Sequence, residues 1–287
     1  MSIIRITFDG EIDMVQRAID RLKAFEPKEG YWLAYSGGKD SIVIKRLAEM
    51  AGVKFEAHYN VTSVDPPELV RFIKKQKDVY FDVPKDRNGK PITMWSLIAK
   101  KKMPPTRIVR YCCEHLKEAA GKGRLTITGV RWAESLRRKN DRHLVDIAAA
   151  KKENRIIYND ENDEARRMVE SCYRTQKTMI NPIIDWTDEE VWQFIKEQKL
   201  EYCKLYDEGY KRLGCIGCPM NTHQKDELEK YPKYKRQYLL AFDKMLKNYD
   251  TPPKSWNTAQ DVYNWWIGEA PQKQTEGQQC IDYEEIK

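Results

Sequence analysis

The chain has 287 residues, 41% hydrophobic and 33% charged: enough apolar residues to bury one sizeable α/β core, and too many for a disordered chain. Its 51 basic and 44 acidic residues leave a formal net charge of +7, a modest excess that suits phosphate-bearing partners and argues against a dedicated nucleic-acid coat protein. Charges interrupt the apolar positions of MSIIRITFDGEID and of every later segment, so neither a membrane span nor a secretory leader is expected and the chain is read as cytoplasmic.

Taken in order, residues 1–29 read as a helical lead-in. Tyr31-Trp32-Leu33-Ala34-Tyr35 is a short apolar strand that ends at Ser36-Gly37-Gly38, and apolar spacing at Ile42, Val43, Leu47 and Met50 then predicts a helix. Residues 53–60 read as a second strand, 67–76 as a helix with basic outer positions, and 79–83 as a third strand. LTITG at 125–129 is a further β-branched strand, and residues 187–198 open a helix with an N-cap and an acidic first turn, TDEE. This alternation predicts an α/β fold, a doubly wound parallel sheet with helices on both faces. Beyond Pro219 the chain turns lysine- and tyrosine-rich, passes Pro252-Pro253 and ends in the polar QKQTEGQQ stretch. We read 30–220 as a nucleotide-binding domain and 221–287 as a helical C-terminal extension with a polar tail.

The loop Ser36-Gly37-Gly38-Lys39-Asp40-Ser41 carries the clearest chemical signal. Adjacent glycines between a strand and a helix let backbone N–H groups approach an anion without hindrance from a Cβ, and the positive end of the helix points to the same place. Ser36 and Ser41 add hydroxyl donors. In the Walker pattern the lysine directly precedes the hydroxyl residue, whereas here the order is S-G-G-K-D-S. The plain alternative is an ordinary polar turn between strand and helix.

Of the seven cysteines, four fall into an adjacent pair, Cys112-Cys113, and a C-x-x-C, Cys215 to Cys218; Cys172, Cys203 and Cys280 stand apart. In a chain without a leader, such thiols point to metals, clusters or catalysis rather than disulfides. Four thiolates complete either an iron–sulfur cubane or a tetrahedral zinc site. Neighbouring residues rarely aim both sulfurs at one tetrahedral ion, which favours iron–sulfur.

The loop resembles that of the PP-loop ATP pyrophosphatases of the adenine nucleotide alpha-hydrolase-like fold and, within that superfamily, the phosphoadenosine phosphosulfate reductase family. Further resemblance lies in Thr62-Ser63-Val64-Asp65, in RYCCEHLK at 110–117, in TGVRWAES at 128–135 and in NPIIDWT at 181–187, covering roughly residues 30–220. The resemblance implies a bound adenine nucleotide, ATP, with Ser36, Gly37, Gly38, Asp40 and Ser41 holding the departing pyrophosphate and Lys39 in the variable position. It also implies Mg2+ on the phosphates. Arg131 and Arg138 are expected to frame the phosphates with Glu134 as an orienting partner, and Asp65, Lys117 and Arg131 are the catalytic candidates. Members of the family that carry a [4Fe–4S] cluster hold it with a cysteine pair and a distant C-x-x-C, which implies Cys112, Cys113, Cys215 and Cys218 as ligands, with Lys117 between cluster and substrate.

Two departures separate this chain from the sulfonucleotide reductases of that family. It lacks their C-terminal Glu-Cys-Gly-x-His type nucleophile motif, having only Gln279-Cys280-Ile281, and it keeps the full S-G-G-x-D-S loop that they tend to lose. Both departures imply an ATP pyrophosphatase that adenylates an acceptor and supports sulfur transfer, like the enzymes of DNA phosphorothioation or tRNA thiolation. The partners implied are DNA or tRNA and a cysteine desulfurase or other sulfur donor, with no membrane partner and the homo-oligomeric state open. A reductase that makes sulfite and a noncatalytic nucleotide-binding module with a structural zinc site remain as alternatives.

Other residues carry two readings each. Cys172, Cys203 and Cys280 could bear a persulfide or be small apolar side chains. His115 could support the cysteine pair or sit on an exposed helix. Trp256, Tyr263, Trp265 and Trp266 fit a core better than a stacking platform. Lys100-Lys101-Lys102 and Lys74-Lys75 could follow a nucleic-acid backbone or be solvated helix faces.

Overall fold

The computed structural model describes residues 2–8, 10–118, 120–121, 123–147 and 178–268. Cys172, Cys280 and the polar tail lie outside them. The chain divides into two compact units, Met1–Met94 with Tyr111–Cys215, and Trp95–Arg110 with Ile216–Lys287.

The first unit opens differently from the helical lead-in expected. Strands β1 (Ile4–Thr7) and β2 (Gly10–Asp13) pair antiparallel, Ile4 opposite Asp13 and Thr7 opposite Gly10. Gly10 takes φ 126° at the turn, a conformation a side chain would resist. Alternating Ile4, Arg5, Ile6, Thr7 has the period of a strand. Only from Met14 does the helix begin: α1 (Met14–Ala24), capped by Asp13, whose carboxylate accepts from the N–H groups of Val15 and Gln16.

Six strands form the main sheet: β3 (Tyr31–Ala34), β4 (Phe55–Asn60), β5 (Val79–Asp82), β6 (Thr126–Ile127), β7 (Val145–Ile147) and β8 (Thr178–Ile180), in the order β5-β4-β3-β6-β8-β7. All neighbours are parallel except β7 on β8. This is the mainly parallel α/β sheet predicted, with an antiparallel edge strand that the sequence did not reveal. Helices α2 (Lys39–Ala51) and α3 (Pro67–Lys74) follow β3 and β4 as expected. α1, α2, α3 and a later helix, Asp188–Glu197, share one buried core with β3 and β4 through Leu22, Leu33, Leu47, Ala57, Ile73 and Phe194. The Asp188–Glu197 helix is capped as predicted: the Thr187 hydroxyl accepts from Glu190 N–H while the Glu190 carboxylate accepts from Thr187 N–H.

The order of strands reverses at β3. The chain runs β3, β4, β5 to one side, then returns to place β6 on the other side of β3. Open α/β sheets bind ligands outside the carboxyl ends of strands at such a switch point. Here those ends carry Ser36 to Gly38 after β3 and Thr128 to Arg131 after β6.

The second unit is helical, as expected of the C-terminal region, and also takes in residues 95–110, which the sequence placed in the nucleotide-binding domain. It contains α4 (Met94–Lys101) from Trp95 onward, α8 (Gln224–Lys230), α9 (Pro232–Lys247) and α10 (Ala259–Trp266); α5, α6 and α7 denote Tyr111–Cys113, Leu136–Asp141 and Asp188–Glu197 of the first unit. Tyr238, Phe242, Val262, Tyr263 and Trp266 are buried. Gly217 lies against this core with φ 70°, and a Cβ there would come within 3.0 Å of Trp266 and Tyr238.

Candidate functional site

After β3 the backbone turns through Gly37 at φ 71°, and Gly38 is the N-cap of α2 with no side-chain cap. The first N–H groups of α2 therefore face the mouth of the loop, the arrangement that binds phosphate. Gly37 is fixed by packing as well as by its torsion, since a Cβ would lie 2.7 Å from Ile73 Cγ1 and 2.8 Å from Leu69 Cδ1 on α3. Ser41 Oγ donates to the Gly38 carbonyl at 2.8 Å and lies 3.3 Å from Ser36 Oγ. The hydroxyls expected to hold phosphate thus also brace the turn.

Gly129, at the end of β6, approaches the same helix. A Cβ on it would stand 2.9 Å from Asp40 Cβ and 3.1 Å from the Asp40 carbonyl carbon, which explains why LTITG ends in glycine. Two residues on, Arg131 is wholly buried. Its Nε donates to Asp40 Oδ1 at 2.7 Å, its Nη2 to Asp188 Oδ1 at 2.6 Å and its Nη1 to the Trp186 carbonyl at 3.1 Å. The guanidinium fork that the resemblance assigned to phosphate is directed at two carboxylates of the loop wall, so in this conformation Arg131 acts on the loop through Asp40. Lys39 joins the same network, with Nζ 3.4 Å from Asp188 Oδ1 and 3.8 Å from Asp40 Oδ2. Burial opposes ionisation of Asp188, but the Arg131 hydrogen bond and the Lys39 ammonium outweigh it and hold the carboxyl below the usual aspartate range.

Arg138 presents cationic surface to the loop. It pairs with Glu134, whose carboxylate also accepts from Arg131 N–H at 3.1 Å. Burial first, then the neighbouring Arg212 and Arg142 guanidiniums, lower the Arg138 pKa to about 10, with Asp40 partly offsetting them. Positive charges crowded enough to depress an arginine make a site that gains from a bound anion. Replacing Arg138 with glutamine is expected to change thermal stability by less than about 1 kcal/mol, because lost pairing and relieved repulsion oppose each other, while weakening ATP binding about tenfold. Calorimetric titration with ATP checks the second figure; equal ATP affinity in wild type and variant would contradict the assignment.

Sequence reasoning missed Tyr206. Its hydroxyl accepts from the Lys39 N–H at 2.9 Å, at the start of α2, and burial pushes its pKa up. The contact joins residues 167 apart in sequence, and nothing local in CKLYDEG signals it. A phosphate oxygen in the cradle would compete for that N–H. Tyr206→Phe is therefore expected to cost the nucleotide-free protein about 1 kcal/mol through the unmet donor, with the deficit shrinking at saturating ATP. Melting curves with and without nucleotide read this directly, and a deficit independent of nucleotide would oppose it.

The second group of candidates lies beyond β4 and around α5. Asp65 is buried; it accepts from Tyr59 Oη at 2.5 Å, and the Cys215 sulfur stands 3.6 Å from its Oδ1. Lys117 follows α5 in a π-helical turn, Glu114–Glu118, and its backbone carbonyl accepts from Asn60 Nδ2 at 3.0 Å. The Cys215 thiolate, opposed by desolvation and assisted by Asp65 and Cys113, holds the Lys117 ammonium above the usual lysine range. Asp65, Cys113, Lys117 and Cys215 are thus brought together in the first unit, while Cys218 belongs to the second. Cys112, Cys113, Cys215 and Cys218 are all half-buried.

Thiols gathered around an ammonium have the donor chemistry of an iron–sulfur site, in which a cation offsets the thiolate charge. Among the described residues, however, no three His, Cys, Asp or Glu side chains converge closely enough to hold a metal ion. Buried His115 Nε2 has no hydrogen-bond partner among the described residues. Cys203 is core, with burial raising its thiol pKa. Trp256, Tyr263 and Trp266 are buried, and Trp265 is exposed.

The phosphoadenosine phosphosulfate reductase domain profile matches residues 30–221, about two thirds of the chain. The chain belongs to this family. An uncharacterized protein of Methanocaldococcus jannaschii is 28% identical over 212 residues, 70% of this chain and 44% of that protein. This chain thus spans under half the length of that relative. An adenosine 5'-phosphosulfate reductase of Salinibacter ruber is 43% identical over 47 residues, 16% of this chain and 19% of that enzyme. Among solved structures, the phosphoadenylyl-sulfate reductase of Candida auris superposes with a TM-score of 0.44 at 16% identity, over 70% of this chain and 87% of that one. The chain thus carries a phosphoadenosine phosphosulfate reductase-family domain with a nucleotide-binding fold. Among the described residues, no helix is long and apolar enough to cross a membrane.

Proposed function

We propose that this member of the phosphoadenosine phosphosulfate reductase family is an ATP pyrophosphatase that adenylates an acceptor, nucleic acid by preference, and supports transfer of sulfur to it. The observation that carries this reading is the complete S-G-G-K-D-S cradle, with Gly37 at φ 71° and Gly38, which has no side chain to cap the helix, as the N-cap of α2. A cradle of that size suits a leaving pyrophosphate, which a substrate lacking β- and γ-phosphates does not offer. In the step, an acceptor oxygen attacks the α-phosphorus, the bond to the β-phosphate oxygen breaks, and pyrophosphate departs with the bonding pair. Loop N–H groups, Ser36, Ser41 and Arg138 stabilise that developing charge, and Mg2+ on the phosphates would neutralise part of it. A persulfide, delivered by a cysteine desulfurase or similar donor, then attacks the activated acceptor, AMP leaves with the bonding pair, and a thiol reductant cleaves the remaining S–S bond to leave the sulfur on the acceptor.

Cys112, Cys113, Cys215 and Cys218 would hold a [4Fe–4S] cluster, which when bound supplies the iron–sulfur chemistry of the transfer. Lys117 would offset the thiolate charge, and Asp65 would orient Cys215. Anaerobic purification followed by iron and sulfide analysis tests this part: four irons and four sulfides per chain are expected of a full cubane, and a colourless zinc protein would refute it.

Reduction of a sulfonucleotide is the second reading, favoured by the match to the Salinibacter ruber reductase. Sulfite formed from adenylyl sulfate with a thiol reductant, without pyrophosphate release from ATP, would establish it over the first.

A further inference from the structure

From Trp95 to Arg110 the chain contains five basic residues, Lys100, Lys101, Lys102, Arg107 and Arg110, and no acidic one. The acid-free stretch runs on from Arg87 to Cys113. All five basic residues are exposed, and exposed Ile108 and Val109 stand between the two arginines. Basic residues at the end of α4 complement its dipole, which accounts for Lys100 and Lys101 but not for the arginines beyond.

The backbone carrying these charges is fastened rather than loose. Asn248 Nδ2 donates to the Ala99 carbonyl at 3.1 Å, Tyr249 Oη to the Lys102 carbonyl, and Trp266 Nε1 to the Pro105 carbonyl at 2.7 Å. Arg107 Nε donates to the Pro219 carbonyl at 2.9 Å. Pro104 and Pro105 are buried and stiffen the turn between the lysines and the arginines. Three side chains, two from the turn after α9 and one from α10, thus fix the backbone of the ledge while its cations face solvent. Lys100, Lys101 and Arg107 make no ion pair among the described residues.

We infer that the 100–110 ledge is a polyphosphate-binding surface that holds a nucleic-acid backbone. The cations of Lys100, Lys101 and Arg107, carried on a fastened backbone in a stretch of sequence without acidic residues, match a chain of regularly spaced phosphates, and they bind it by releasing its counterions. Ile108 and Val109 are suited to sugar or base edges. Two apolar side chains are too few to anchor a membrane-surface helix, whose whole apolar face must enter the lipid. The inference deepens the proposed function by stating where a nucleic-acid acceptor is held, and its catalytic meaning rests on that reading.

The test is a salt titration of binding by the full chain to a fluorescent DNA duplex and a tRNA-like RNA hairpin. K100A/K101A/R107A is expected to lower the slope of log affinity against log salt by about 2 to 3, and the affinity near 50 mM salt by roughly a hundredfold. K74A/K75A/K77A, which removes three exposed lysines elsewhere, is the charge-matched control and is expected to behave as wild type. An unchanged slope in the triple variant, an equal loss in the control, failure of the wild type to bind either probe, or tighter binding to anionic vesicles than to nucleic acid would each overturn the inference. ATP–pyrophosphate exchange measured on the same preparations separates the two claims. Ledge-dependent binding without exchange removes the catalytic reading and keeps the surface, whereas exchange without binding does the reverse.

Discussion

Replacing Arg131 with methionine is expected to destabilise the nucleotide-binding unit by about 2–4 kcal/mol and to abolish measurable ATP binding. Breaking a buried ion pair by removing one partner typically costs about 3–5 kcal/mol, because the other charge is left desolvated. The lower range applies here because the Asp188 side chain is 56% exposed, although that of Asp40 is only 21% exposed. Asp40 stands in the first turn of α2, so without its guanidinium it places an uncompensated negative charge where the proposed nucleotide phosphate would enter. The double variant R131M/D40N removes both charges and is expected to recover a large part of the stability but not the ATP binding. Urea denaturation of the three proteins measures this coupling. The acid limb adds a signature. Because Asp188 titrates below the usual aspartate range in the folded chain, its pairing with Arg131 is fully present above about pH 4 and is lost as the pH falls through its folded value. The methionine variant should lose that part of the acid dependence. An R131M protein with wild-type stability would contradict the network.

The second large effect is expected at Gly37. Alanine there meets two penalties: a left-handed torsion worth about 1–2 kcal/mol and a Cβ 2.7–2.8 Å from Ile73 and Leu69, an overpacking worth about 1–3 kcal/mol. Relief requires either α3 or the loop to shift, and a shift of the loop moves the N–H groups that form the cradle. Loss of about 2–5 kcal/mol with loss of ATP binding is therefore expected. Gly52 supplies the contrast, since it has nearly the same torsion, φ 70°, at the C-terminus of α2 but nothing within 4 Å of a Cβ. Gly52→Ala should cost only the torsional part, about 1–2 kcal/mol, and leave ATP binding intact. Equal effects at both positions would mean that torsion alone matters and that Gly37 has no special relation to the site.

The parts legible in the sequence are those whose causes are local. An apolar run, two glycines and helical spacing specify β3, the loop and α2 within about 20 residues, and Thr187 with Glu190 specifies a helix start within four. The hairpin of β1 and β2 was equally local, yet in the sequence residues 1–29 read as one helical lead-in. β7 and β8 were not legible, because three-residue strands have almost no periodicity. β7 is instead held by a long-range device: buried Asn181 Nδ2 donates to the His143 carbonyl at 2.7 Å and to Asp146 Oδ2 at 2.9 Å. Tyr206 and Asp188 reach the site for the same long-range reason, through packing that no window around them reports. Arg131 shows the opposite case. Its chemistry was legible, but which carboxylates would occupy its fork depended on the approach of Gly129 to Asp40, a contact made only in the folded chain. The cysteines remain where chemistry and geometry meet least: Cys113 and Cys215 share the surroundings of Lys117, and the metal they imply must be measured.

The most direct test of the central claim, cleavage between the α- and β-phosphates, is ATP–pyrophosphate exchange by the anaerobically prepared protein in the presence of tRNA or duplex DNA. The S-G-G-K-D-S cradle predicts incorporation of labelled pyrophosphate into ATP, lost in G37A and retained in G52A, with AMP rather than ADP as the product of turnover. Formation of ADP and phosphate would contradict it.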